Sequence, residues 1–411
     1  MSAEGSIDRL IAWLAENGLN GATEEALVTG FCERAADAGL PIARALVIID
    51  TLHPVYEGRL FRWGHDPSQP GVVEYGRTVV PDRATLGAEQ ERAAANWRSS
   101  PFFHLLQTGE NLLRRRVTEE SAAEFPVVKD YLAAGSTDYV AIVSRFAPEG
   151  IIGEMDCVYS SWITTQAEGF SDAQIAALTR VVPTLALAVK AAALTRMTGT
   201  LMETYLGRDA AKRVLSGRIM RGVADRIDAV IWFSDLRGFT RVSDSAPEQV
   251  IPLLNDYADV IVSAIHGQGG DVLKLIGDGI LAIFTAEDRE HACAASLDAA
   301  TVVRKEVTAL NARRAQNGLP VTDMYLGLHV GEVFYGNIGS TERLDFTVVG
   351  PAVNEASRIA AMCRSVEQPV LVSEAFANVD RMRERLVSVG RYALRGVERP
   401  QELFTLEQRG G

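Results

Sequence analysis

The run AVIWFSDLRGFT (residues 229–240) decides how this chain is read. An almost unbroken apolar segment, residues 228–234, has the composition of a strand buried on both faces. It ends abruptly on Asp235 and a turn-forming Leu236-Arg237-Gly238 sequence. A second run, KLIGDGILAIF (residues 274–284), lies within residues 271–284, which read as two strands folded about Gly277-Asp278-Gly279. Carboxylates at strand ends beside glycine-bearing backbone are a common way to hold a hard cation. Turn aspartates that bond their own backbone have the same appearance, and for either residue alone that reading is the stronger. Outward from these runs, residues 247–265 carry Val250, Leu253, Leu254, Tyr257, Ile261 and Ile265 at helical spacing. Ser245 and Glu248 offer a capping box for that helix. Residues 288–317 read as a long helix, 325–330 and 344–349 as strands, and 353–363 as a further helix. This βαββαβ order predicts a ferredoxin-like α+β fold: an antiparallel sheet with helices on one face.

The preceding residues divide into two sections. Residues 1–190 mix helices (7–14 and 24–38, stopped at Gly39) with strands at 45–50 and 59–63. A hairpin of residues 139–146 and 152–160 follows, and a helix from Ser171 to Ala193 closes the section. In pattern this α/β unit resembles a GAF-type sensor domain, the sequence Gly169-Phe170-Ser171-Asp172 being its most GAF-like part. Residues 191–226 are a basic, helical connector with Arg196, Arg208, Lys212, Arg213, Arg218, Arg221 and Arg226 against three acids. Residues 227–411 form the third section.

Composition narrows the function. A formal net charge of -12 argues against a nucleic-acid binder. Cys32, Cys157, Cys293 and Cys363 are scattered, without the spacing of a disulfide scaffold or a zinc site. Glu4 and Asp8 stand where a leader would be basic and then apolar. The most apolar stretch, residues 181–194, is too short to span a bilayer and contains Lys190. A cytoplasmic protein without a membrane span is expected.

FSDLRGFT, KLIGDGILAIF and FTVVGPAVNEASRI (residues 346–359), in this order, resemble the class III nucleotidyl cyclase catalytic domain. The resemblance implies that Asp235, Asp278 and the backbone carbonyl of Leu236 bind two divalent cations, Mg²⁺ or Mn²⁺. The amides of Arg237, Gly238, Phe239 and Thr240 would hold the polyphosphate. Lys274 and Thr347 would read the purine, Asn354 would orient the ribose, and Arg358 would stabilise the transition state. The activity implied is conversion of ATP to 3′,5′-cyclic AMP and pyrophosphate by attack of the ribose 3′-oxygen on the α-phosphorus, chemistry that rests on positioning and electrostatics. Asn354 and Arg358 lie four apart and so share a helix face.

A lysine donor at 274 suits adenine N1, an acceptor, and opposes guanine N1–H. Thr347, where many relatives have aspartate, resembles the bicarbonate-responsive adenylyl cyclases, so bicarbonate is an expected partner. The resemblance also implies a homodimer with shared sites, Asp235, Asp278 and Lys274 on one side and Thr347, Asn354 and Arg358 on the other. The rival readings are a cyclase of GTP or a pyrimidine nucleotide, and a silent nucleotide-binding module. The signal sensed by residues 1–190 is not written in the sequence. Arg395 and Arg399 are as compatible with a solvated loop as with the triphosphate, His329 reads as structural, and Arg114-Arg115-Arg116 as a solvated face.

Overall fold

Alternation and turn chemistry place most elements where the pattern puts them. The computed structural model describes residues 3–65, 67–76, 88–285, 288–395 and 400–407. They fall into two compact units, Met1–Leu201 and Met202–Gly411.

In the first unit, α1 (Ala3–Leu19) and α2 (Glu24–Asp37) precede β1 (Arg44–Asp50) and β2 (Tyr56–Trp63). Then come β3 (Val72–Gly76), α3 (Ala88–Arg98), α4 (Pro101–Thr108), β4 (Leu112–Arg116), α5 (Glu119–Glu124) and α6 (Val128–Ala133). β5 (Asp138–Arg145), β6 (Cys157–Thr164) and α7 (Asp172–Leu206) complete the series. The strands form one antiparallel sheet in the order β3-β2-β1-β6-β5-β4. One face packs on α1, α2 and α7 through Leu14, Phe31, Val47, Trp162 and Val182. The other carries a cluster that includes Phe102, Leu105, Tyr139 and Tyr159. The second hairpin strand starts at Cys157 rather than at residue 152, because Ile152 and Met155 bridge each other in the turn.

Two sequence readings are corrected here. The basic run at 114–116 is paired with carboxylates rather than simply solvated, Arg116 alone of the three remaining exposed. Arg114 grips the fully buried Asp138 at 2.8 Å, Arg116 lies 3.7 Å from the same carboxylate, and Arg115 pairs with Glu124. The apolar stretch around 181–194 belongs to a 35-residue helix that is long and apolar enough to cross a membrane. Leu178, Val181, Val182, Leu185 and Val189 are buried in the core, which accounts for much of that apolarity. The expected separate connector is shared out between the units: Ala193 and Met197 are buried in the first, Ala210 and Ala211 in the second. Most of its arginines have carboxylate partners, among them Arg196 with Glu24 and Arg213 with Asp209 and Asp225.

The second unit begins with α8 (Arg208–Leu215) and β7 (Ala224–Leu236), followed by α9 (Phe239–Ser245) and α10 (Val250–Gly267). The hairpin β8 (Asp271–Ile276) and β9 (Gly279–Phe284) leads to α11 (Arg289–Gln316), β10 (Met324–Gly339), β11 (Leu344–Val349) and α12 (Pro351–Val366). β12 (Val370–Val372), α13 (Glu374–Ala377), β13 (Leu386–Tyr392) and β14 (Gln401–Leu406) follow. The sheet runs β13-β14-β12-β10-β7-β9-β8, with β11 also paired to β10. The Ser245–Glu248 capping box does not form: Ser245 ends α9, its hydroxyl donating to the Arg241 carbonyl, and α10 starts after Gln249. α11 does carry a side-chain cap, Asp288 accepting the His291 amide at 2.7 Å.

Helices cover both faces of this sheet, not one. Val230, Trp232, Leu326 and Leu328 face α10 and α11, whereas Ile231, Leu281 and Val333 share a cluster with Ala352 and Ala356 of α12. The reason lies in β10. A Cβ at Gly327 would stand 2.5 Å from the Ala356 carbonyl oxygen and the Ala360 amide nitrogen, and one at Gly331 3.0 Å from the Ala352 Cβ. Bare backbone at these positions lets α12 lie directly on the strand. His329, between them, is buried with its Nδ1 3.4 Å from Glu355 of α12, as its structural reading expects.

Gly327→Ala is therefore expected to push α12 off the sheet, since its neighbours are backbone and have no rotamer to change. Overpacking of this kind costs about 1–3 kcal/mol. Thermal unfolding of the variant should show a clear fall in melting temperature, and an unchanged melt would refute the close-approach account.

Candidate active site

β7 delivers the first site residues. Its register against β10 sets Asp235 opposite Tyr325 and Leu236 opposite Met324. Leu236 turns into the core while Asp235, one residue earlier, points outward. The chain then bends at Gly238, whose φ of 70° suits glycine, and enters α9. Phe239 packs its ring against the α10–α11 core, which anchors the start of that helix. Among the four amides expected to face polyphosphate, that of Arg237 is already taken. It donates to the Asp323 carbonyl at 2.7 Å, extending the β7–β10 ladder by one rung. This bond takes the Arg237 amide out of the set expected to face phosphate.

Asp278 sits in the two-residue turn between the paired Ile276 and Gly279. The β7–β9 register matches Ser234 with Ile280, so the turn lies beside the end of β7. The two carboxylates come within hydrogen-bonding range there. Partial burial, followed by the Asp278 hydrogen bond and charge, pushes the Asp235 carboxyl up from 3.8 to about 6. A pair of oxygen ligands that repel each other in the absence of a counter-charge fits a divalent cation. Among the described residues no cluster of three or more acidic, histidine or cysteine side chains adds to them.

Lys274 takes a different place from the one expected. Its ammonium donates to Asp345 Oδ2 at 2.7 Å, and the lysine holds the Asp345 carboxyl below its ordinary range. Asp345 and Thr347 are two apart on β11 and so project from one face. Lys274 is thus tied to the face of β11 that carries Thr347. Asp345 is a residue that sequence reading missed, although its period-two spacing from Thr347 was a usable signal. Thr347 itself is buried and pairs with Gly336, which pairs in turn with Ala224, the first residue of β7. Asp235 is the penultimate residue of that strand. Asn354 is exposed and Arg358 half-buried on α12, whose Ala352, Ala356 and Ile359 face inward. Arg395 is exposed, and Arg399 lies outside the described residues.

The acid pair has a pH signature. Because the folded carboxyl of Asp235 titrates above its unfolded value, the native state holds the extra proton, and its contribution to stability is lost as pH rises from about 4 through about 6. Asp278→Asn removes the like charge but not the partial burial. A carboxyl NMR titration of cation-free protein should show the Asp235 midpoint falling part of the way to the ordinary range. An unmoved midpoint would mean that Asp278 does not act on Asp235.

Comparison with known proteins bears on the second unit. Residues 223–408 match the family model described as the adenylate and guanylate cyclase catalytic domain. The chain is 36% identical over 159 residues to an adenylate cyclase of Anabaena cylindrica, covering 38% of this chain and 31% of that protein. It is 31% identical over 170 residues to adenylate cyclase 1 of Rhizobium meliloti, covering 40% of this chain and 25% of that protein. The chain thus spans only about a third of these relatives' length or less. Among solved structures, the adenylyl cyclase CyaB from P. aeruginosa aligns with a TM-score of 0.42 at 24% identity, over 46% of this chain and 97% of that one. The guanylyl cyclase Cya2 aligns at 0.40 and 27% identity, over 45% of this chain and 96% of that one. Three spaced motifs, a strand-end pair of carboxylates and the family match agree: residues 223–408 are a class III adenylate/guanylate cyclase catalytic domain.

Proposed function

We propose that this chain is an adenylyl cyclase that converts ATP to 3′,5′-cyclic AMP and pyrophosphate as a symmetric homodimer. The observation that carries the reading is the juxtaposition of Asp235 and Asp278 at the end of β7. Asp235, Asp278 and the Leu236 carbonyl would hold Mg²⁺ or Mn²⁺, which when bound supplies acidification of the 3′-hydroxyl and neutralisation of the leaving pyrophosphate. The amides of Gly238, Phe239 and Thr240 bind phosphate oxygens. Asn354 orients the ribose, and Arg358, one helical turn away, meets the charge that develops on the phosphates. The Lys274 ammonium, positioned by Asp345, donates to adenine N1, while the Thr347 hydroxyl accepts from the adenine amino group. Thr347 supports a reading of the chain as a bicarbonate-responsive cyclase. The first unit is read as a GAF-like sensor of a small molecule or protein signal, and the protein as cytoplasmic.

The register of β7 supports the dimer. Thr347 is linked through Gly336 to one end of that strand and Asp235 stands at the other, so a second copy turned head to tail would bring unlike ends together. The two halves of each site are then Asp235 and Asp278 from one protomer, and Lys274, Thr347, Asn354 and Arg358 from its partner. Mixing Asp235→Ala with Arg358→Ala chains, each inactive alone, should restore about a quarter of wild-type turnover if pairing is random. Asp235→Ala mixed with Asp278→Ala should restore none. Equal recovery in both mixtures, or none in either despite proven subunit exchange, would refute the shared site.

Turnover of all four nucleoside triphosphates tests the base. Wild type should favour ATP. Lys274→Glu exchanges the donor for an acceptor, and Asp345→Asn in the same chain removes the like charge that would face it. The ATP-to-GTP ratio of kcat/KM should then fall on the order of 10²-fold. An unchanged ratio would show that Lys274 does not read the base.

A further inference from the structure

The loop that carries Asp235 and Leu236 is clamped from behind by a buried polar chain. Arg237 has both backbone groups engaged. Its amide donates to the Asp323 carbonyl at 2.7 Å, and its carbonyl accepts from the Thr322 hydroxyl at 2.6 Å. Thr322 is 8% exposed, and its own backbone is held from the other side. The Thr322 amide donates to the Tyr257 hydroxyl at 2.8 Å, and the Thr322 carbonyl accepts from Asn311 Nδ2 at 2.7 Å. The Tyr257 hydroxyl also lies against Asn311 Oδ1, and Arg314, 2% exposed, donates to the Pro320 carbonyl at 2.8 Å. Tyr257 belongs to α10, and Asn311 and Arg314 to α11. Two helices of the core thus reach through the 320–323 segment to the residue next to Leu236.

We propose that the Thr322 hydroxyl, backed by Tyr257 and Asn311, is a positioning group that holds the Asp235–Leu236 backbone in the geometry that binds the divalent cation. The inference rests on the cyclase reading of that site. A turn after a strand end has few constraints of its own, since the β-ladder stops there. The Asp323 carbonyl holds the Leu236–Arg237 peptide by its N–H, and the Thr322 hydroxyl holds the following Arg237–Gly238 peptide by its carbonyl, so the two together restrain the turn that would swing the Leu236 carbonyl away. Partners of this kind, one bond removed from the ligands, typically change cation affinity or activity 10–100-fold when removed.

Thr322→Val keeps the shape and deletes the hydroxyl. Mn²⁺ binding to the full chain, followed by electron paramagnetic resonance with Asp278→Ala as the blank, should weaken about tenfold. In turnover, half-saturating Mn²⁺ should rise and kcat fall by a similar factor. Thr322→Ser, which retains the hydroxyl, should recover both. Tyr257→Phe, which strands the Thr322 amide, should reproduce the defect and carries the test if the valine variant does not fold. Wild-type Mn²⁺ affinity and kcat in a folded Thr322→Val chain, or a serine variant as impaired as valine, would overturn the inference and leave the cyclase reading standing. Absence of Asp278-dependent Mn²⁺ binding in the wild type would instead remove the cyclase reading of the site, and the inference with it.

Discussion

The antiparallel register of β7 against β10 is the constraint on which the second unit depends. It runs without a break from Ala224 opposite Gly336 to Leu236 opposite Met324. Shifting it by one residue would turn every side chain to the other face. Trp232 and Val230 would leave the α10–α11 core, Asp235 would turn into it, and Gly327 would no longer lie under Ala356 and Ala360. The same register carries the Arg237 amide to the Asp323 carbonyl, and so continues the ladder one step past the carboxylate that ends the strand. A strand with both faces buried has only one acceptable register, and the site residues take their places from it.

Against that rigid frame the site itself is built out of balance. Asp235 and Asp278 are near enough for one to raise the other's proton affinity, an arrangement that costs free energy until a positive charge arrives. The frame tolerates it because neither residue packs the core. The hairpin holding Asp278 is secured on its far side by Ile280, Ala282 and Phe284, and the strand holding Asp235 by Val230, Trp232 and Leu236. Local strain of this sort marks places kept for chemistry, with stability supplied elsewhere.

What the sequence revealed followed from periodicity and motif. The apolar run before Asp235, the turn around Asp278 and the helix bearing Asn354 and Arg358 all formed where they were read, within a few residues at the boundaries. The readings that failed depended on partners distant in the chain. Glycines 327 and 331 look like weak points in a strand, and only the close approach of α12 explains them. Arg114 and Arg116 look solvated until β5 sets the buried Asp138 between them. The capping box at Ser245 satisfied the local rule, yet α9 claimed the serine first. The Thr322–Tyr257 chain left no trace in the sequence, because its members are 65 residues apart and meet through backbone atoms.

Asp345 shows how a weak interaction still matters at a site. With Lys274 and Asp345 side chains 36% and 42% exposed, water screens their attraction, and such pairs contribute about 0–1 kcal/mol to stability. The consequence is positional. A lysine stem has four rotatable bonds, and confining its ammonium costs entropy that a ligand would otherwise have to overcome on binding. Asp345 confines it beforehand, on the same face of β11 as Thr347. Lys274 of β8 and the face of β11 that carries Thr347 are thus tied to one another through Asp345, by a pair too exposed to add much stability yet sufficient to fix where the ammonium stands.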